Sequence, residues 1–191
     1  MGKIFSYRSL RKRTACDIMN ASINKNFGEH YMIKIVNQID ENTINRLLSV
    51  YSESMDDMKI NFTNDVEMCL AYASFLRDFV KNPKQLIVVE TFYDDWVSAL
   101  RAIETTEGCW FLEAVETKPD ERKKGFGKNL LCHTIDYLKN HGMTELTCII
   151  AKNNCKSQAL HEKCGFIPTN DPPLNCWGEL EKGNILYRLE I

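Results

Sequence analysis

The sequence predicts an α/β (α+β) protein in which helices cover both faces of a mixed sheet. Short runs rich in β-branched and aromatic residues indicate strands, and they alternate with longer runs whose apolar residues recur at helical spacing. In chain order the predicted elements are β-α-α-β-β-β-α-β-α-β-β, an order that gives a mixed sheet with helices on both sides. The length of 191 residues, with 44% hydrophobic and 26% charged residues, suits one globular domain.

The first half of the chain supplies four of the predicted strands and two helices. Residues 32–39 alternate in polarity and form the first strand. Asp40 is placed to cap a single helix that reaches Met58, and Asn64 with Glu67 resembles a capping box for a second helix. Three strands follow, at residues 84–92, 96–103 and 110–117.

The second half returns to alternating helices and strands. A helix at residues 129–139, a strand at 145–151, a helix at 157–164 and a closing strand at 185–191 follow in order. Residues 168–183 hold three prolines and two glycines, so we expect a loop with one short strand there.

The first 31 residues differ from the rest. They hold six Lys and Arg residues against two acidic ones and lack core periodicity. Such a segment is typical of a transit peptide, of an unstructured extension or of a mis-assigned start. We therefore divide the chain into a basic N-terminal extension at 1–31, with the latter two interpretations favoured, and one domain at 32–191.

Composition narrows the classes of partner. A net charge of −2 gives no general affinity for polyanions, and no apolar run approaches the roughly 20 residues that span a bilayer. The eight cysteines form no Cys-x-x-Cys pair, which favours reduced thiols in a cytoplasmic protein and no metal site. We expect neither nucleic acid nor a membrane as partner, and a homodimer remains open.

The most informative stretch is a basic turn that bears glycine between a predicted strand and a predicted helix. Bare backbone N–H groups and the helix dipole at such a turn favour an anion, and glycine lets that anion approach the main chain. Four of its seven residues are basic, which suits a small phosphorylated ligand. The turn consists of Arg122, Lys123, Lys124, Gly125, Phe126, Gly127 and Lys128.

The spacing of the glycines excludes two common phosphate-binding motifs. A P-loop needs a glycine, four further residues and then Gly-Lys-Ser/Thr, and a dinucleotide fingerprint needs Gly-x-Gly-x-x-Gly early in a βαβ unit. The turn instead matches Arg/Gln-x-x-Gly-x-Gly/Ala, and residues 154–166 match Asn-x-x-Ser/Ala-x-x-Leu-Tyr/His-x-Lys-x-Gly-Phe. Together the two motifs, in this order, resemble those of the GNAT superfamily of acyl-CoA N-acyltransferases. The resemblance covers about residues 32–191.

This resemblance implies a fold, a co-substrate and a set of binding residues. The fold would be a mostly antiparallel sheet whose central strand pair splays apart, with the pantetheine of acetyl-CoA in the gap. Residues 122–128 would hold the pyrophosphate, and the strand end at Val115, Glu116 and Thr117 would supply backbone hydrogen bonds. Asn154 would contact the pantetheine and Ser157 the diphosphate arm, although both residues also suit a helix N-cap.

Acyl transfer to an amine requires a base, donors to the oxyanion and a proton for the leaving thiolate. Glu113 and Glu116 lie on the predicted central strand, on opposite faces by alternation. We favour Glu113 as the base, with Glu116 and a water relay as alternatives and a salt-bridged Glu113 as the structural interpretation. His161 stands where relatives carry Tyr, and it is either the proton donor to the thiolate or a core residue.

The sequence therefore predicts an acyltransferase that moves an acetyl group from acetyl-CoA to a primary amine of a small molecule or peptide. The alternative is a non-catalytic acyl-CoA-binding sensor. Acidic residues near the first two helices would suit a cationic acceptor, although a solvated face explains them equally well. They are Glu53, Asp56, Asp57, Asp65 and Glu67.

Overall fold

The computed structural model describes residues 30–191, so the predicted extension lies almost wholly outside the described residues. One seven-stranded sheet runs through this part of the chain. Its strands are β1 (Tyr31–Ile35), β2 (Gln85–Phe92), β3 (Asp95–Thr106), β4 (Cys109–Thr117), β5 (Glu145–Ala151), β6 (Ile167–Pro168) and β7 (Asn184–Glu190).

Within residues 30–191, five α-helices accompany this sheet. They are α1 (Glu41–Val50), α2 (Ser52–Met58), α3 (Asp65–Phe79), α4 (Phe126–Lys139) and α5 (Cys155–Lys163). Side chains cap three of them as their sequences predict: Asp40 accepts from Thr43 N at 2.7 Å, Asn64 from Glu67 N at 2.9 Å, and Asn154 from Ser157 N at 3.1 Å.

The sheet order is β1-β2-β3-β4-β5-β7-β6, and every neighbouring pair is antiparallel except β4 and β5. The parallel pair is short, running only from Cys109 opposite Glu145 to Phe111 opposite Thr147. Beyond Phe111 the two strands separate. This confirms the mixed, mostly antiparallel sheet with a splayed central pair.

Two apolar cores lie on the two faces of the sheet. One packs α1, α2 and α3 against Ile87, Val89 and Ala99, and the other packs α4 against Val88, Leu100 and Leu146. Successive strand residues point to opposite faces, so adjacent residues such as Val88 and Val89 belong to different cores. The near-continuous apolar runs of β2 and β3 follow from this burial on both sides.

Several predicted boundaries differ from the structure. The single helix expected after Asp40 is broken at Tyr51, whose ψ of 22° is not helical, and α1 and α2 replace it. Tyr51 is fully buried between α1 and α3, so tertiary packing decides the break. Helix α4 begins three residues before the predicted start, at Phe126, because Gly125 serves as its N-cap.

Candidate active site

The glycine-bearing turn joins the end of β4 to the start of α4. Gly125 adopts φ 96°, a left-handed conformation that favours glycine, and an added Cβ would meet no atom within 4 Å. The N–H groups of Phe126, Gly127 and Lys128 begin α4 and have no acceptor within the helix. The turn therefore presents an open, positively polarised helix end, which fits a diphosphate group.

Gly127 allows α4 to lie against β4 at close range. A Cβ at this position would stand 3.0 Å from Thr117 Oγ1. Ser98 donates to the carbonyl of Glu116 at 2.8 Å, and its hydroxyl lies 2.9 Å from Thr117 Oγ1. These contacts place the end of β4 directly beneath the first turn of α4.

Arg122 connects the turn to the end of β4 and to α2. Its Nε donates to the carbonyl of Thr117 at 2.9 Å, and its Nη1 donates to Glu53 Oε1 at 2.8 Å. This ion pair lowers the pKa of Glu53. Lys124 pairs with Glu121 at 2.9 Å, whereas Lys123 and Lys128 form no ion pair with any residue in the range 30–191. Two of the four basic side chains thus remain to face a ligand.

A β-bulge in β4 reverses the expected orientation of its two carboxylates. Arg101 pairs with Ala114 and Ala102 with Leu112, so Glu113 has no partner on β3. The extra residue shifts the alternation. Glu113 and Glu116 therefore both face the side of α1, α2 and α3, and the prediction that they lie on opposite faces is wrong.

Glu113 is bound by a buried arginine. Arg101, whose side chain is 5% exposed, donates to both oxygens of Glu113, from Nε and, at 3.1 Å, from Nη2. Its Nη1 donates to Tyr72 Oη, and the guanidinium lies 4.5 Å from the centre of the Tyr51 ring. The pair keeps Glu113 oriented and its charge balanced.

Glu116 is more deeply buried than Glu113 and ties β4 to the start of α2. It accepts from Glu53 N at 3.0 Å and from Ser54 Oγ at 2.5 Å. Burial raises the pKa of Glu116, and these hydrogen bonds oppose the rise. The carboxylate thus joins β4 to α2, and it lies on the part of β4 that has separated from β5. We call this separation of the two strands the fork.

His161 lies on α5 and is almost completely buried. Its Nδ1 lies 2.8 Å from the carbonyl oxygen of Ser157, which can only accept, so Nδ1 carries the proton. The ring packs edge-on against Phe166 at 5.2 Å. Burial lowers the pKa of His161. The neutral ring therefore offers an unprotonated Nε2.

Asn154 and Ser157 both occupy the start of α5. The side-chain oxygen of Asn154 accepts from Ser157 N, which leaves the amide nitrogen as its donor towards a ligand. The Ser157 hydroxyl lies 3.4 Å from His161 Nδ1. The helix cap and a ligand contact are compatible at Asn154, because they use different atoms.

A cleft of about 410 Å³ lies where β4 and β5 begin to separate. Phe111 and Thr147, the last paired residues of the two strands, line it, together with Leu174 and Cys176 from the segment before β7. The pKa of Cys176 is raised, first by burial and then by the charge of Glu113. Glu113 itself does not line the cleft, and Cys176 is the lining residue on which its charge acts.

Two functional candidates were missed by the sequence analysis. Arg101 and Glu90 are charged residues within otherwise apolar strands, and both are buried. Glu90 lies beneath α4, where Asn129 Nδ2 donates to its Oε1 at 3.0 Å. A charge in the middle of an apolar strand needs a buried partner or a function, and that signal was present in the sequence.

Residues 30–191 contain no cluster of three or more His, Cys, Asp or Glu residues that could hold a metal ion. The same part of the chain has no helix long and apolar enough to cross a membrane. A cytoplasmic location and a homodimer remain predictions.

The sequence model of the Acetyltransferase (GNAT) family matches residues 48–166, which is more than half of the chain. The chain belongs to this family. By family it is accordingly an acetyltransferase, which agrees with the predicted acetyl-CoA co-substrate. No curated protein matches the chain by sequence.

Solved structures of the same fold are distant in sequence. The PaiA N-acetyltransferase of Thermoplasma acidophilum, in complex with coenzyme A, is 15% identical with a TM-score of 0.63, covering 83% of this chain and 99% of that one. The ribosomal-protein-S18-alanine N-acetyltransferase of Escherichia coli is 19% identical, with a TM-score of 0.58 and coverages of 84% and 94%. The Microcin C7 self immunity acetyltransferase MccE, in complex with acetyl-CoA and AMP, is 14% identical, with a TM-score of 0.65 and coverages of 92% and 100%.

Proposed function

We propose that this protein is an N-acetyltransferase that moves the acetyl group of acetyl-CoA to a primary amine of a small molecule or peptide. The observation that carries the proposal is the arrangement around the fork. An open helix end suited to a diphosphate lies at the mouth of the fork, and an oriented carboxylate lies on the bulge of the strand that forms one side.

Different residues bind the diphosphate and the pantetheine of the co-substrate. The N–H groups at residues 126–128 take the diphosphate, with Lys123 and Lys128 adding charge. The backbone at residues 115–117 and the amide nitrogen of Asn154 contact the pantetheine. Arg122 acts on the turn rather than on the ligand, because Glu53 and the Thr117 carbonyl already occupy its donors.

Glu113 is the group that we assign to the acceptor amine. It is the more accessible of the two carboxylates, with 20% of its side chain exposed, and its charge acts on Cys176, which lines the cleft. Arg101 fixes its orientation and leaves oxygen lone pairs for an ammonium or a bridging water. Glu116 serves mainly to hold α2.

The acidic face near α1, α2 and α3 gives little support to a cationic acceptor bound there. Glu53 pairs with Arg122, and Asp56 and Asp65 both lie within reach of Lys59, at 2.8 and 3.7 Å. Much of that charge is already balanced within the chain. The cleft lined by Phe111 and Cys176 is the better entry for the acceptor.

An acceptor screen tests the proposal. The protein is incubated with acetyl-CoA and a panel of small amines, amino acids and peptides, and free thiol and acetylated product are measured. We expect amine-dependent release of coenzyme A, and Glu113→Gln lowers it by about 10²-fold or more. Binding of acetyl-CoA without turnover on any amine would instead favour the sensor.

A second measurement tests the cofactor site alone. Gly125→Glu places a carboxylate at the helix end that should receive the diphosphate, in a left-handed conformation. We expect calorimetry to show loss of acetyl-CoA binding by this folded variant. Undiminished affinity would contradict the assignment of the turn.

His161 is proposed as the proton donor to the departing thiolate. Because Nδ1 donates to the Ser157 carbonyl, the proton must leave from Nε2, which first takes up, through water, the second proton that the amine nitrogen loses once it has bonded to the acetyl carbon. His161→Phe should keep acetyl-CoA affinity and lower kcat about 10²-fold, whereas His161→Tyr should retain much of the activity. Wild-type turnover by both variants would show that the buried ring is structural.

A further inference from the structure

Glu90 is a buried carboxylate on the side of the sheet that carries the cofactor turn. It lies on β2 opposite Ile33 of β1 and Ser98 of β3, and the first turn of α4 covers it. Its side chain has no exposed surface. The proposed mechanism does not use it, and a buried acidic residue without a salt bridge is costly to keep.

The two oxygens of Glu90 have unequal surroundings. Oε1 accepts from Asn129 Nδ2 at 3.0 Å, and Oε2 is buried without a hydrogen-bond partner among the described residues. Its register partners on β1 and β3 are Ile33 and Ser98, and the groups of α4 that act on it are Asn129 and the backbone N–H of Leu130; none of these is charged. Burial raises the pKa of Glu90 to about 7.

The carboxylate and a bound diphosphate share one helix end. Asn129, which holds Oε1, is the fourth residue of α4, and its own N–H donates to the carbonyl of Gly125 in the turn at 3.0 Å. The partial positive charge of a helix N-terminus extends over its first turn, so it stabilises an anion on either side. Two anions at that end repel each other through a protein interior of low dielectric constant.

We propose that Glu90 couples cofactor binding to proton uptake: when a diphosphate occupies the turn, Glu90 takes up a fraction of a proton from solvent, so that the neutral acid predominates beneath α4. No covalent bond forms or breaks, and the proton returns to solvent when the ligand leaves. The inference rests on the proposed function in one respect, namely that residues 125–128 bind the diphosphate. It adds a positioning residue that tunes cofactor affinity near neutral pH.

The coupling has a defined sign. A bound anion favours the protonated form of Glu90, so binding raises the pKa of Glu90 above its value in the free protein. Affinity is then highest below the free value, falls as pH rises through about 7, and levels off above the value in the complex. A rise of about one pKa unit on binding corresponds to about tenfold weaker affinity over that range.

Calorimetry with dephospho-coenzyme A provides the test. This ligand keeps the diphosphate but lacks the 3′-phosphate, whose own titration near pH 6 would overlap. Kd is measured from about pH 6 to about pH 8.5, and proton uptake is obtained from buffers of different ionisation enthalpy. For the wild type we expect about tenfold weaker binding at the high end and net proton uptake near pH 7.5.

Three variants make the test specific. Glu90→Gln mimics the neutral acid, so its Kd should lack the tenfold step and its proton uptake should be smaller. Asn129→Ala removes the hydrogen bond that favours the carboxylate, so the step should remain and move to higher pH. Glu104→Gln, at the other end of β3, should behave as the wild type.

The outcomes separate this inference from the proposed function. Equal pH profiles and equal proton uptake for the wild type and Glu90→Gln would overturn the inference while leaving cofactor binding intact. Failure of the wild type to bind either acetyl-CoA or dephospho-coenzyme A would remove the proposed function. If Glu90→Gln does not fold, absence of proton uptake by the wild type alone overturns the coupling.

Discussion

Glu113 and Glu90 are acidic residues of one sheet that face opposite sides and meet opposite environments. Glu113, on the side of α1, α2 and α3, has both oxygens bound by Arg101 and keeps 20% of its side chain exposed. Glu90, on the side of α4 and α5, is fully buried, and one amide is its only side-chain donor among the described residues. The chain supplies a cation to the first and none to the second.

The difference shows how one fold assigns two roles to the same chemical group. A carboxylate paired with a buried arginine keeps a fixed direction, which suits a residue that has to receive an amine. Glu90, a buried carboxylate without a cation, has a pKa of about 7, close to neutral pH. Its charge therefore responds to a neighbouring anion. Environment rather than residue type decides between orienting and sensing.

The largest effect is expected when the Arg101–Glu113 pair is broken. Glu113→Gln leaves the charge of Arg101 buried without its counter-ion, and such a loss costs about 3–5 kcal/mol of unfolding free energy. Urea denaturation measures it. Since an apolar pair of similar volume avoids the buried charge, Arg101→Met with Glu113→Met should recover most of the stability and remain inactive. Recovery of turnover by the double variant would show that Glu113 is not the base.

Glu90 should make stability depend on pH in the opposite sense from a salt-bridged acid. The pKa of Glu90 is raised from 4.5 to about 7 on folding, so its stabilising share is complete below pH 4.5 and is lost as pH rises to about 7. The difference in unfolding free energy between wild type and Glu90→Gln should change by about 3 kcal/mol across that window. If the difference in unfolding free energy does not change with pH, the pKa of Glu90 is not raised on folding, and the prediction is contradicted.

The local features of the site could be predicted from the sequence. The turn at residues 122–128, the cap at Asn154 and the strand–helix order depend on neighbours within a few positions, and local patterns carry that information. The separation of β4 from β5 followed from the family resemblance, and the structure confirms it.

The face of Glu113 and Glu116 could not be predicted, because a bulge of one residue cancels the alternation on which that argument depends. Whether β4 bulges is decided by its pairing with β3, which is a long-range property. The break at Tyr51 has the same origin, since packing against α3 outweighs a helical pattern that continues to Met58. The ion pair between Glu53 and Arg122 also depends on the tertiary fold, because the two residues are 69 positions apart.

The two glycines of the turn should differ in the cause of their cost when they are replaced. Gly127→Ala brings a methyl group to 3.0 Å from Thr117 Oγ1, so we expect a loss of about 1–3 kcal/mol, partly relieved when Thr117→Ala is added. Gly125→Ala meets no atom, and its left-handed φ alone should cost about 1–2 kcal/mol. Relief of Gly125→Ala by Thr117→Ala would contradict this distinction.

The smallest effect concerns the Arg122–Glu53 ion pair, whose side chains are 39% and 51% exposed. An exposed ion pair contributes at most about 1 kcal/mol to stability, so Glu53→Gln should barely change unfolding. Its effect on affinity is more informative. Because Arg122 keeps its hydrogen bond to the Thr117 carbonyl, the turn should stay in place, and the unbalanced charge should strengthen acetyl-CoA binding about threefold at low salt.

High salt should remove this gain, because the Debye length falls to about 3 Å at about 1 M. Asp78→Asn breaks a comparable exposed pair with Lys81 at the end of α3 and serves as the matched control without an effect on binding. Weaker binding by Glu53→Gln would mean that the ion pair itself organises the turn. In that case the acceptor side, through α2, would help to build the cofactor side, and the two halves of the site would not be independent.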